Sequence, residues 1–125
     1  MIIDTDVIIW YLKGNKNAFN IIEKQNGFQV SVITYMELVQ GMRNKTELTE
    51  LRKAFRIWKT KILYIDEEIS SKAMFLVERY FLSHSIEVAD ALIACTSIVN
   101  GQPLLTGNIK HYKIITELDS IKFKV

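Results

Sequence analysis

Met1-Ile2-Ile3-Asp4-Thr5-Asp6-Val7-Ile8-Ile9 is the stretch that decides how this chain is read. A short apolar run stops at an acid, a second acid follows two residues on, and apolar residues then resume. That order reads as a buried strand, Ile2-Ile3, whose C-terminal tip carries Asp4. In open α/β sheets, ligands bind in the crevice beyond the carboxyl ends of the strands. An acid set there holds a cation, activates a water or acts as a nucleophile.

The rest of the chain repeats this strand-then-helix alternation. Strand signals fall at Ile2-Ile3, Phe28 to Val32, Ile62 to Ile65, Leu104-Leu105 and Ile121 to Val125. Between them, apolar residues recur at helical spacing. Leu48, Leu51, Phe55 and Trp58 predict an amphipathic helix over residues 46–59, with Asn44 as its cap and Glu47 completing a capping box. Ile69, Ala73, Leu76, Val77 and Tyr80 predict a second over 67–82. Val88 to Val99 is apolar on nearly every face apart from Asp90, as a helix packed between other elements should be. Asn100-Gly101-Gln102-Pro103 ends that helix and turns the chain into a strand. Alternation of this kind predicts an α/β fold with a parallel sheet covered on both faces.

Size and composition bound the function classes. A chain of 125 residues is one domain, 1–125, and 49% apolar residues exclude a disordered chain. The net charge of +2 is too small to imply a nucleic-acid partner on its own, although basic residues gather from Lys45 to Lys61 and from Lys110 to Lys124. Cys95, the one cysteine, cannot form an internal disulfide and sits among apolar residues as a small buried hydrophobe. No apolar run reaches membrane-spanning length. Asp4 and Asp6 interrupt the first segment and no basic region precedes it, so no secretion signal is expected and the expected location is cytoplasmic, with no membrane partner.

Three acids stand at strand tips or first helical turns. Asp4 has a structural explanation as the cap of a helix starting near Val7, but Asp6 fills that role equally well and leaves Asp4 free. Glu37 lies three residues after Thr34, a spacing a capping box explains fully, yet it points into the same crevice as Asp4. Asp90 lies between apolar neighbours, where an unpaired carboxylate costs several kcal/mol or is driven neutral. A helix dipole offsets only ~0.3–1 kcal/mol of that. Hard oxygen donors from three segments suit Mg²⁺ or Mn²⁺. No His or Cys pattern fits zinc, and no glycine-rich phosphate loop is present.

These residues, taken together, resemble the four motifs of PIN-domain ribonucleases, and most of all the VapC-type toxins of toxin–antitoxin pairs. The matching stretches are Ile3-Asp4-Thr5-Asp6-Val7-Ile8, Ser31 to Gly41 (SVITYMELVQG), Ala89 to Thr96 (ADALIACT) and Leu105 to Tyr112 (LTGNIKHY). Each is weak alone; their order and spacing along nearly the whole chain are specific. The resemblance implies a three-layer α/β/α sandwich with a five-stranded parallel sheet. It implies Mg²⁺- or Mn²⁺-dependent hydrolysis of single-stranded or looped RNA by a homodimer that a cognate antitoxin holds silent. It assigns Asp4, Glu37 and Asp90 as catalytic, metal-holding acids, with Thr5, Thr106 and Asn108 in support. Lys110 and His111, just past the fourth strand, are placed to steer the phosphate backbone, although a solvated turn explains them as well.

One departure concerns the metal. The family often carries a fourth acid at or near Asn108; here that position is neutral and residue 111 is His, so one tightly held ion is expected and not two. Asp6 is expected to point away from Asp4, on the side of a helix. Trp10 and Tyr11 are expected to fill a core or partner groove in preference to stacking on bases. Two other readings remain: a non-catalytic RNA- or protein-binding module of the same fold, and a haloacid dehalogenase-like phosphatase with Asp4 as nucleophile. Against the latter, only 19 residues follow Thr106, and Glu117 and Asp119 are the sole acids among them.

Overall fold

The computed structural model describes residues 1–125. In chain order it contains β1 (Ile2–Ile3), α1 (Thr5–Leu12), α2 (Lys16–Lys24), β2 (Gln29–Ser31), α3 (Val32–Gln40), α4 (Lys45–Ile57), β3 (Lys61–Leu63), α5 (Glu67–Tyr80), α6 (Val88–Val99), β4 (Leu104–Thr106), α7 (Ile109–Tyr112) and β5 (Ser120–Lys122). The strands form one sheet in the order β3-β2-β1-β4-β5. Every pairing is parallel, with Ile2 opposite Leu104 and Ile3 opposite Leu105 in the central pair.

Side chains alternate across a strand, and this sheet uses the alternation to feed two cores. Ile3, Val30 and Leu105 point to one face, where Val7 and Ile8 of α1, Ala18 and Ile22 of α2, and Leu51 and Phe55 of α4 close over them. Ile2, Leu63 and Leu104 point to the other, against Ile69, Ala73 and Leu76 of α5 and the apolar α6. The result is the expected three-layer α/β/α sandwich. Trp10 and Tyr11 pack against the first core, and Tyr11 meets Trp58 edge-on and stacks on Phe19, so their packing role holds. Cys95 is fully buried, and burial pushes its thiol up to about 11, which leaves it unreactive.

Predicted and observed elements differ at their ends. Helix α6 matches its predicted span, and Gly101 takes a positive φ of 63° just past it, which few other residues do without strain. Asn44 caps α4 as expected, through Glu47 N. The return half of that box is different: Glu47 Oε1 accepts from Arg43 N and its other oxygen pairs with the Arg43 guanidinium. The capping box of Thr34 and Glu37 does not form. Helix α3 starts at Val32, with Ser31 as its cap and the Ser31 hydroxyl accepting from Ile33 N. Thr34 is thereby left inside the helix, with its hydroxyl directed at Thr5. Neither α2 nor α7 is among the predicted helices: α2 is one-sided, with Ala18 and Ile22 buried, but polar overall, and α7 is a single turn.

The strand order reverses about β1, whose neighbours β2 and β4 lead away in opposite directions. That switch point opens a crevice at the carboxyl ends of β1 and β4. Ser31 holds the start of α3 beside it, so Ser31→Ala should lower unfolding free energy by ~0.5–2 kcal/mol in urea titration, the usual cost of a lost helix cap.

Candidate active site

Asp4 lies at the tip of β1 and is also the cap of α1. Its Oδ1 accepts from Thr5 N at 2.8 Å, and its Oδ2 accepts from the Thr106 hydroxyl at 2.7 Å. The side chain is 3% exposed. Desolvation, reinforced by the charge of Asp6, raises its pKa from 3.8 to about 6, against the lowering effect of those hydrogen bonds. Of the two acids that could cap α1, Asp4 does so, and it is therefore the cap and the functional candidate at once.

Asp6 corrects a second expectation. Its carboxylate does not turn away from Asp4; the two acids share one field, and Asp6 also feels Asp90. Asp6 Oδ2 accepts from Gly107 N at 2.9 Å, beyond the tip of β4. Its Oδ1 is buried with no hydrogen-bond partner. Desolvation raises the Asp6 pKa as well. A β-carbon at Gly107 would stand 2.6 Å from Asp6 Oδ2, so only glycine permits this approach.

The other predicted acids reach the site through intermediaries. Thr5 Oγ1 donates to Glu37 Oε1 at 2.7 Å and lies 2.9 Å from Thr34 Oγ1. With its one proton on Glu37, Thr5 accepts from Thr34. This threonine pair ties Glu37 to the first turn of α1, next in sequence to Asp4. Asp90 stands in the first turn of α6. Burial pushes its pKa up, opposed by His111 and Tyr112. His111 Nδ1 is 3.3 Å from Asp90 Oδ2, and the Tyr112 hydroxyl donates to Asp90 Oδ1 at 3.3 Å.

Tyr112 is the residue that the sequence did not signal. It is buried, and its hydroxyl faces both Asp4 and Asp90. Burial first, then those two charges, raise its pKa steeply, so it stays a proton donor between the two acids. Thr106 bonds Asp4 directly, and Asn108 reaches the pair only through its backbone, whose N–H donates to Thr106 Oγ1 at 3.0 Å. Lys110 is exposed, and His111 has 58% of its side chain exposed, so neither is a buried site residue.

Asp4, Asp6 and Asp90 thus stand within one another's influence, Glu37 is tied to the residue after Asp4 through Thr5, and no Lys or Arg pairs with any of the four. All offer hard oxygen donors, and an orphaned buried carboxylate oxygen on Asp6 wants a partner. No three of the chain's His, Cys, Asp and Glu side chains stand close enough to grip one ion together directly. A strongly hydrated cation that keeps several waters suits that spacing, and Mg²⁺ or Mn²⁺ fits the donor chemistry.

The chain matches the PIN domain over residues 1–115. It is 33% identical to ribonuclease VapC1 of Methanocaldococcus jannaschii over 123 residues, covering 94% of this chain and 82% of that protein. It is 31% identical to ribonuclease VapC10 of Mycobacterium tuberculosis over 124 residues, covering 94% and 90%. Among solved structures, VapBC-1 of nontypeable Haemophilus influenzae superposes with a TM-score of 0.82 at 23% identity, over 97% of this chain and 96% of that one. A toxin–antitoxin complex from Klebsiella pneumoniae gives 0.81 at 22%, over 99% and 98%. This chain belongs to the PIN-domain family. The phosphatase reading of Asp4 falls with that assignment.

Two measurements probe the site. With its pKa raised on folding, Asp4 binds a proton more readily in the folded state, so its charge weakens the metal-free fold as pH rises from about 4 to about 6 and above. In EDTA, Asp4→Asn should therefore be the more stable protein at pH 8, on the order of 2 kcal/mol by urea titration, with the gap closing towards pH 4. Gly107→Ala should displace the Asp6 carboxylate while leaving the circular dichroism unchanged, and should weaken Mn²⁺ binding by calorimetry about tenfold or more.

Proposed function

We propose that this protein is a cytoplasmic, Mg²⁺- or Mn²⁺-dependent endoribonuclease, the toxin of a VapBC-type toxin–antitoxin pair. The observation that carries the reading is the set of acids at the β1–β4 switch point, buried or half-buried with no basic partner but His111. Its relatives named as ribonucleases, similar over 94% of the chain, support RNA as the substrate.

Asp4, Glu37 and Asp90 would hold the cation, with Asp6 as a further donor to its waters. When bound, the metal supplies positive charge against the scissile phosphate and lowers the pKa of an attacking water. The chain's own groups do the remaining work. Thr106 and Thr5 N–H fix the Asp4 carboxylate at two points. The Thr5–Thr34 pair fixes Glu37, a half-buried base that can take the proton of the attacking water. Tyr112 holds Asp90 in place. A single-stranded or looped RNA is the substrate, because the bases of an A-form duplex are hard for a protein to read.

The antitoxin reading draws on structural neighbours described as toxin–antitoxin complexes. A cleft of about 580 Å³ between α1, α3 and α4 supports it; Ile9, Leu12, Leu38 and Met42 give it an apolar lining, and Glu37 stands in its wall. A peptide seated there would reach the acids. No helix is long and apolar enough to cross a membrane. Homodimerisation draws support from exposed Phe75, Phe81, Leu82 and Val88 on the α5–α6 hairpin.

Purified protein should cut single-stranded RNA in Mg²⁺ or Mn²⁺ and not in EDTA, and Asp4→Asn and Asp90→Asn should each lower kcat by ~10³-fold or more with the fold retained. Cutting by both variants at the wild-type rate would sink the assignment. Absence of cutting by the antitoxin-free wild type would favour a non-catalytic binding module.

A further inference from the structure

A second cleft, of about 480 Å³, opens on the opposite side of the acids, between α7 and the turn that joins α5 to α6. Lys110, His111 and Lys113 form one wall; His84 and Ser85 form the other. No carboxylate lines it, and neither lysine enters an ion pair. The cleft on the Glu37 side differs in kind: there Lys13 and Arg43 are outnumbered by Glu37, Glu47 and Glu50. One groove therefore carries net negative charge, and in the other the only charged side chains are basic.

The basic groove is a built feature. Buried Tyr112 anchors α7 to the sheet, and the lysines flank that anchor two residues before it and one after. The facing turn is held by His84 N donating to Tyr80 O at 2.8 Å and Ile86 N donating to His84 O at 2.8 Å. The His84 ring stands edge-on to Tyr80, with centroids 5.9 Å apart, and its Nδ1 is 2.9 Å from Ser83 Oγ. His111 belongs to both places: it lines the groove and touches Asp90 at 3.3 Å.

We propose that this groove is a phosphodiester subsite, in which Lys110 and Lys113 hold the RNA backbone one or two nucleotides from the scissile bond, on the Asp90 side of the centre. The proposal rests on the nuclease reading for its substrate and deepens it by giving the strand a path. A single strand crossing the acids is repelled from the carboxylate-rich cleft and drawn into the groove. Lysines are point charges without the planar fork of arginine, so they grip phosphates without reading bases. Sequence choice must then come from elsewhere along the strand.

The test uses a labelled single-stranded RNA of about twelve nucleotides and mixed sequence, bound in Mg²⁺ to Asp4→Asn protein so that it stays intact. Adding Lys110→Ala with Lys113→Ala should raise Kd about tenfold and flatten the log Kd against log salt slope by about 1.4, at ~0.7 per lost phosphate contact. Lys110→Arg with Lys113→Arg should keep both values. Lys16→Ala with Lys24→Ala, on α2 in the opposite helical layer, should leave the affinity within about twofold. Equal losses from the two alanine pairs, or no loss from the groove pair, would overturn the subsite. In the cleavage assay with Asp4 restored, the groove pair should raise KM and spare kcat. Wild-type cleavage with an unchanged KM in the groove pair would remove the subsite and leave the nuclease standing. Weakened binding by that pair, with no cleavage by the wild type, would remove the nuclease and leave an RNA-binding groove.

Discussion

The hydrogen bond from the Thr106 hydroxyl to Asp4 Oδ2, buried and 2.7 Å long, joins the tips of two neighbouring strands that lie 102 residues apart in the chain. Around it the site takes shape. Thr106 in turn accepts from Asn108 N, which sets the turn into α7 and so the positions of Tyr112, His111 and the basic groove. Asp4 on its side starts α1, and the next residue, Thr5, reaches Glu37. A carboxylate buried this deeply is kept by its donors and opposed by its own desolvation and by Asp6. The cation proposed for this site would relieve that opposition.

The parallel sheet explains why the acids converge at all. The three aspartates are placed at a strand's carboxyl end or in the first turn of a helix, where backbone N–H groups and the helix dipole favour negative charge, whereas Glu37 lies in the second turn of α3 and is held by Thr5 instead. Asp4 caps α1, Asp6 follows in its first turn, and Asp90 stands in the first turn of α6. Burial outweighs these dipoles, and all three acids remain shifted towards the protonated form, chiefly by desolvation. The same termini leave two clefts of opposite character beside one reactive centre, one lined by carboxylates and apolar groups and one by lysines.

Much of this was legible in the chain itself, because an acid that interrupts an apolar run is conspicuous. Asp4 and Asp90 stand out for that reason, and the alternation of short strands with periodic helices leads directly to the layered sheet. Where the reading slipped, the deciding contact was distant. Ser31 and Thr34 are both good helix caps, and only the end of β2 chooses between them. Asp6 looks outward on a helix drawn alone; its direction is set by the amide of Gly107, 101 residues away. Tyr112 resembles any aromatic in a basic tail until α7 folds it beneath the acids. The polar run Lys16–Lys24 hides a helix whose buried side holds little more than Ala18 and Ile22.

The pairing of β1 with β4 has a consequence for synthesis of the protein. Asp4 is synthesised 102 residues before its partner Thr106, and the central strand pair cannot close until both have been made. Contacts of such sequence separation form late. A growing chain therefore exposes the acids singly, without the buried arrangement that gives them a common field. The machinery making a proposed RNA-cleaving enzyme is itself built on RNA, and this order of assembly withholds the cutting site until translation has passed the fourth strand.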